Sequence, residues 1–432
     1  MKIRATKMSS PSRLLLRSIS HQFAGSSKYL ISKSPTSFKP FNSLFRHHMS
    51  TAVAPSELHS SIQNSPPWLM LPLAFGGAMV HNFYSLSENK VITLTGSGEN
   101  ELTDLMSKPN HHRVLTGSSH GYLALFNKQN LDLFLYNPIS GNHIKVPPIH
   151  NLPSFPSNNS TSVTKVILSC SPDEDYENCR AVMMYNCTNL MAVCCPGRSY
   201  EWTPFGRYPN GYEECVFSSE HQLLFGLTNN DDYLETWDLR DLSSPRMILS
   251  NYLYSENSDS EDEDDQVLEN FCITVDHLVV ANNHLLFVTQ HVMESVGPDG
   301  SYVDYYEECE RSINCPHLTV DFQVYKYDPE KGDFRYEDSL DDLALFIGLK
   351  SDTVALPAAK FPGIKPNSIY FTDTIGKGHW FGKNEDAPFR GHDIGIFNYE
   401  DKTVSSCYYP CDVQSIQRIL PSPMWFFPSS SI

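Results

Sequence analysis

The pentapeptide Gly117-Ser118-Ser119-His120-Gly121 has the G-x-S-x-G spacing that turns a serine out of a strand toward a catalytic base in many hydrolases. That geometry needs a strand before the serine and a helix after it. Here Tyr122-Leu123-Ala124-Leu125-Phe126 follows, an apolar run of strand type, so the glycines suit a turn between strands. His120 then reads as a turn or packing residue rather than a base. Thiol chemistry is the second option, because the chain has eleven cysteines. Cys179, Cys187, Cys194 and Cys195 cluster, but no C-x-x-C pair occurs and the spacings match no common zinc module. Cys309 and Cys315, with His317 just beyond Pro316, make the best metal spacing, and it is a weak one. Cys407 and Cys411 meet only if Tyr408-Tyr409-Pro410 turns tightly. Buried free thiols in a reducing compartment are the simpler reading. No catalytic residue, metal site or cofactor is assigned from these motifs.

Two segments have the composition of binding elements. Gly376-Lys377-Gly378-His379-Trp380-Phe381-Gly382 through Pro388-Phe389-Arg390-Gly391-His392 interrupts an apolar region with aromatic and cationic side chains on a glycine-flanked loop. Such residues anchor protein interfaces, which makes His379, Trp380, Phe381, Phe389 and Arg390 candidate partner contacts. The alternative is a loop whose aromatics fold back on the body. Residues 256–265 hold seven acids in ten positions; such a run repels itself and reads as a disordered loop. Ser258 and Ser260 each precede an acid by three residues and are candidate phosphorylation sites, against a plain solvated linker.

The elements that must carry these segments repeat. Leu131–Pro138, Tyr233–Asp238, Val324–Pro329 and Ile394–Asn398 each run from alternating apolar residues to an aromatic, an Asn or Asp, and a polar turn. Aromatic residues make up 12% of the chain, and no long stretch keeps a helical period. Val279-Val280, Leu285–Val288 and Ser368–Thr372 read as short strands, with Asn282-Asn283 and Glu400-Asp401-Lys402 as turns. Grouping strands between turns gives about six units, of roughly 40–50 residues once insertions are removed, the size of a four-stranded propeller blade. The expected fold is therefore all-β, a single propeller over residues 67–427, with seven blades as the alternative count. Met424-Trp425-Phe426-Phe427 is expected to close the ring against the first unit.

The first 56 residues contain nine basic side chains and no acid before Glu57. Arg13-Leu14-Leu15-Leu16-Arg17 can form a short basic amphipathic helix, and serine is abundant. This is the composition of an organelle transit peptide over residues 1–48, with a linker at 49–66 and a cleavage region around Arg46 and His48. The alternative is a basic tail for anionic surfaces. Without the leader the chain is still more acidic than its overall net charge of −18, which disfavours nucleic acid as a partner. The longest apolar run, Trp68–Phe75, is too short to span a bilayer and is broken by Pro72.

From Gly117–Leu123, Leu133–Gly141 and Pro147-Pro148 through Leu345–Gly348, Phe361–Asp373, Asp393–Phe397 and Pro423–Trp425, the chain resembles the plant KIB-type β-propeller proteins, relatives of F-box propellers. The resemblance covers roughly residues 67–427. Relatives with an N-terminal F-box look like substrate receptors of ubiquitin ligases, whereas this leader lacks the apolar spacing of an F-box bundle. That departure resembles the family's organellar branch. The expectation is a non-enzymatic interaction propeller, reached through the organelle import machinery, with an unidentified protein partner. A mitochondrial address is expected, with the chloroplast as the alternative. A ubiquitin-ligase receptor is the rival reading, and a hydrolase-like enzyme ranks third.

Overall fold

The computed structural model describes residues 51–52, 65–72, 80–95, 113–152, 163–186, 188–207, 211–229, 233–253, 268, 271–303, 315–375 and 389–428. Six sheets are present in this part of the chain. The first contains β1 (Thr51–Ala52), β2 (Trp68–Met70), β3 (Val80–Ser85) and β4 (Lys90–Thr95). The second is a plain meander of β5 (Arg113–Ser119), β6 (Tyr122–Asn127), β7 (Leu133–Tyr136) and β8 (His143–Lys145). The third comprises β9 (Val163–Leu168), β10 (Ala181–Tyr185), β11 (Leu190–Cys194) and β12 (Thr203–Phe205). The fourth has β13 (Tyr212–Ser218), β14 (Leu223–Thr228), β15 (Tyr233–Asp238) and β16 (Arg246–Tyr252). β17 (Cys272–Ala281), β18 (His284–Met293), β19 (Leu318–Asp328) and β20 (Asp333–Tyr336) form the fifth. The sixth holds β21 (Leu343–Ile347), β22 (Val354–Pro357), β23 (Ser368–Phe371), β24 (Gly395–Asn398) and β25 (Thr403–Ser405), and β26 (Met424–Phe426) returns to the first sheet beside β2.

Six apolar clusters join these sheets pairwise, and together they close a ring. One lies between sheets two and three (Tyr122, Leu135, Val166, Met183), and others follow between three and four, four and five, and five and six. A fifth packs sheet six on sheet one through Phe346, Tyr370, Leu69 and Trp425. The last packs sheet one on sheet two. The architecture is a six-bladed β-propeller, with β26, β5, β9, β13, β17 and β22 innermost. Each blade buries both faces against neighbours, so a middle strand such as β11 is buried at every position and its sequence does not alternate. The outer strand β8 is largely exposed.

The recurrent Asn or Asp makes the same turn contact in each repeat. Asn137 Oδ1 accepts the N–H of Ile139, Asp238 Oδ1 that of Arg240, Asp328 Oδ1 that of Glu330 and Asn398 Oδ1 that of Glu400, at 2.9–3.0 Å. In four blades, then, an Asx turn starts the hairpin leading to the outermost strand. Asn282 and Asn283 both adopt positive φ, as a two-residue hairpin between β17 and β18 requires.

Three features differ from the sequence reading. Thr51–Ala52, within the stretch read as a linker, pairs in parallel with β4 as an extra outer strand. The sixth blade is also five-stranded and not a meander. Its chain enters at β21, turns to the innermost β22, and returns through Ala358–Lys360 to β23, which runs parallel to β21. The three inner strands of blade five are 10, 10 and 11 residues long, with Asp276, His277, Thr289, Gln290 and His291 continuing β17 and β18 as buried polar residues instead of ending them.

Candidate functional site

Near the axis, charged residues replace apolar ones at equivalent positions of successive inner strands. Lys165 is the third residue of β9 and Glu214 the third of β13; Nζ lies 2.7 Å from Oε1, with the side chains 2% and 0% exposed. Glu214 Oε2 is 3.6 Å from His277 Nδ1 on β17. His277 Nε2 lies 3.1 Å from Gln290 Oε1, and Gln290 Nε2 donates to Thr319 Oγ1 at 2.6 Å. Thr319 donates its hydroxyl to Asp393 Oδ2 at 2.6 Å, while Thr374 donates to Gln290 Oε1 at 2.8 Å. One polar chain therefore crosses from blade three to blade six. Burial and the nearby Asp373 charge push Asp393 up to about 6, against the opposing pull of His317.

That chain ends at the residues that flank the insertion singled out by composition. Asp373 follows β23, and His392 precedes β24. Asp373 Oδ1 is 3.0 Å from His317 Nε2, and its carboxylate also accepts the N–H groups of Ile375 and Gly391. His392 Nε2 lies 2.8 Å from the His317 carbonyl, and its ring sits 4.3 Å from that of His317, centre to centre. Burial works against a charged His317, but the Asp373 carboxylate outweighs it and raises the imidazole; for Asp373 burial is likewise overcome, by His317, and its carboxyl is lowered. Burial and the His317 charge hold His392 down at about 4. The ligand atoms offered by His317, Asp373 and His392 lie within 4.8 Å of one another.

Phe389 and Arg390 stand half-buried on this root, with the Arg390 carbonyl accepting the Ile419 N–H at 2.8 Å. Phe389 packs edge-on against His392. Burial, with the charges of Arg390 and Lys128, lowers Lys350 to about 8. His379, Trp380 and Phe381 lie outside the described residues, as do Ser258, Ser260, Arg46, His48, Cys187 and Cys309. Cys170, Cys179, Cys194, Cys195, Cys215, Cys272, Cys315, Cys407 and Cys411 are free thiols. Sequence reasoning noticed His317 for its cysteine neighbours; its partners come from far along the chain.

A family model described as the KIB1-4 beta-propeller matches residues 83–398. The chain belongs to the KIB1-4 β-propeller family. No curated protein matches it. Among solved structures it is similar to apo AztD from Citrobacter koseri, at 12% identity and a TM-score of 0.34 over 66% of this chain and 62% of that one. It is also similar to the Dos1 propeller, at 9% identity and a TM-score of 0.31 over 55% and 52% of the two chains. A chain of a nidogen/laminin complex matches at 8% identity and a TM-score of 0.30 over 62% and 92%.

Within this KIB1-4 propeller the G-x-S-x-G motif is a hairpin. His120 and Gly121 take positive φ between β5 and β6, the strand expected after the serine. Ser119 donates its hydroxyl to Asp352 Oδ2 at 2.5 Å and accepts the Leu168 N–H at 2.8 Å. Asp352 belongs to a segment between β21 and β22 that reaches blade two, where Ser118 and Ser351 form a parallel bridge. Burial lifts Asp352 to about 7, opposed by Ser119 and Lys165 and assisted by Glu214. Its folded pKa lies above the unfolded one, so the fold favours the protonated acid. Stability is thus lost as pH rises from about 4 through about 7 and changes little above. Asp352→Asn should flatten that decline: between pH 5 and pH 8 the melting temperature of the wild type should fall further than that of the variant. Equal slopes in thermal melts would remove Asp352 from the account.

Proposed function

We propose that this chain is a non-enzymatic protein-interaction propeller working inside an organelle, the mitochondrion in the first instance and the chloroplast as the alternative. β-Propellers typically serve as protein-interaction scaffolds. The observation that carries the reading is the root of the Gly376–His392 insertion. Gly391, His392 and the Arg390 backbone are held by Asp373, His317 and Ile419, while Phe389 and Arg390 keep exposed surface beside them. A loop with fixed ends presents its aromatic and cationic side chains with less ordering entropy to lose on binding. Among the described residues no helix is long and apolar enough to cross a membrane. The basic, acid-free leader supports import, and the acidity of the rest disfavours nucleic acid.

The address is tested by fusing residues 1–48 to a fluorescent reporter in plant cells. The reporter should enter mitochondria, and changing Arg13 and Arg17 to Glu should abolish entry. A reporter that stays in the cytosol would overturn the organelle reading. It would favour the rival role, a ubiquitin-ligase substrate receptor, which co-purification with the ligase adaptor would then identify.

A further inference from the structure

We infer that His317, Asp373 and His392 bind a divalent first-row transition ion of borderline softness, with Zn²⁺ as the leading occupant. Two independent observations point there. The first is the convergence of three donors from distant parts of the chain. His317 precedes β19 in blade five, whereas Asp373 and His392 bracket the insertion in blade six. Their ligand atoms lie within 4.8 Å of one another, and His317 Nε2 to Asp373 Oδ1 is already 3.0 Å. Two donors about 2.0–2.1 Å from one tetrahedral ion stand about 3.3 Å apart, so this pair needs little adjustment.

The second observation is His392 itself. Its side chain is 2% exposed, and its Nδ1 is buried with no hydrogen-bond partner among the described residues. An unmet ring nitrogen in the interior carries a desolvation penalty unless something binds it. With Nε2–H donating to the His317 carbonyl at 2.8 Å, the ring takes the tautomer that leaves the Nδ1 lone pair available. A backbone carbonyl that orients a histidine in this way is the usual outer support of a metal ligand. Asp373 is supported similarly by the N–H groups of Ile375 and Gly391, contacts a coordinating carboxylate keeps.

Two imidazoles and one carboxylate leave a coordination position open and suit Zn²⁺ better than Ca²⁺ or Mg²⁺, which take oxygen ligands. The ion would join both ends of the insertion to the neighbouring blade. The site stands whether or not that insertion contacts a partner.

The test uses the full chain, stripped with a chelator and titrated with Zn²⁺ against a chromophoric competitor. One ion per chain should bind, at least thirtyfold more weakly in His317→Ala and Asp373→Asn, while exposed His143→Ala behaves as wild type. Failure to bind one equivalent at micromolar Zn²⁺, or unchanged affinity in the variants, would overturn the site. Because a buried-site variant can misfold, the unaltered chain is also loaded with Co²⁺. Visible ligand-field bands of a low-coordinate nitrogen–oxygen site support the assignment. An aqueous-like spectrum, or a thiolate charge-transfer band showing that cysteines hold the ion, contradicts it.

Discussion

Glu214→Leu is expected to remove about 3–5 kcal/mol of folding stability, because it leaves the Lys165 ammonium buried without its counter-charge. That is a large fraction of the roughly 5–15 kcal/mol that holds a typical domain together. Lys165 cannot reach water by a small rotation, being enclosed between the inner strands of two blades. Burial opposes its charge, and the Glu214 carboxylate more than compensates, so its pKa is raised. Replacing both members, with Lys165→Met and Glu214→Leu together, should restore a good part of the loss, since two matched apolar side chains demand no compensation. Recovery should be incomplete. Glu214 also accepts the Cys215 N–H at 2.9 Å and faces His277, and neither contact returns in the double variant. Chemical denaturation of the four proteins forms the double-mutant cycle. A Glu214→Leu chain within 1 kcal/mol of wild type would show that the axial polar chain contributes little.

A chain ending at Pro423 is expected to yield no cooperatively folded monomer. It would lack β26, the innermost strand of the first blade, which closes the ring. Trp425 is fully buried, donates its indole N–H to the Ile347 carbonyl at 3.1 Å, and packs edge-on against Phe346 and Tyr370 of the sixth blade. Met424 and Phe426 face the other way, into the cluster shared by blades one and two. Three residues therefore fill two interfaces at once. Trp425→Ala alone should cost about 3–5 kcal/mol, and full truncation more, with an unpaired β2 edge that promotes aggregation. Size-exclusion chromatography and thermal melting report the outcome. A soluble truncated monomer with a single sharp transition would refute ring closure as a condition for folding.

Much of the architecture is legible in the sequence because its cues are local. An aromatic followed by Asn or Asp marks the turn into an outer strand, and the side-chain oxygen of that residue makes the turn in four blades. The unit boundaries follow from these turns. The order of strands in the sixth blade does not, since the parallel pairing of Leu343–Ile347 with Ser368–Phe371 depends on a crossover with no local signature. Blade five looks shorter in sequence than it is, because Gln290 and His291 resemble a strand end until their buried surroundings are known. The site divides in the same way. Phe389, Arg390 and His392 stand out by composition. Lys165 and Glu214 sit inside inner strands, Asp352 and Asp373 in short polar stretches outside the strands, and all four gain meaning only when the ring brings them together. A charge at the third residue of successive inner strands, as at Lys165 and Glu214, is the local cue to the axial polar chain.

The central claim is that the closed ring presents the Gly376–His392 insertion to a protein partner. It is tested most directly with Trp380→Ala in the tagged full-length chain, comparing thermal melting and the proteins that co-purify. The account predicts unchanged melting and at least a thirtyfold loss of the specific partner, since losing a true anchor costs about 2 kcal/mol or more. A lowered melting temperature with an unchanged partner list would contradict it, and would leave the insertion as packing for the blade that carries it.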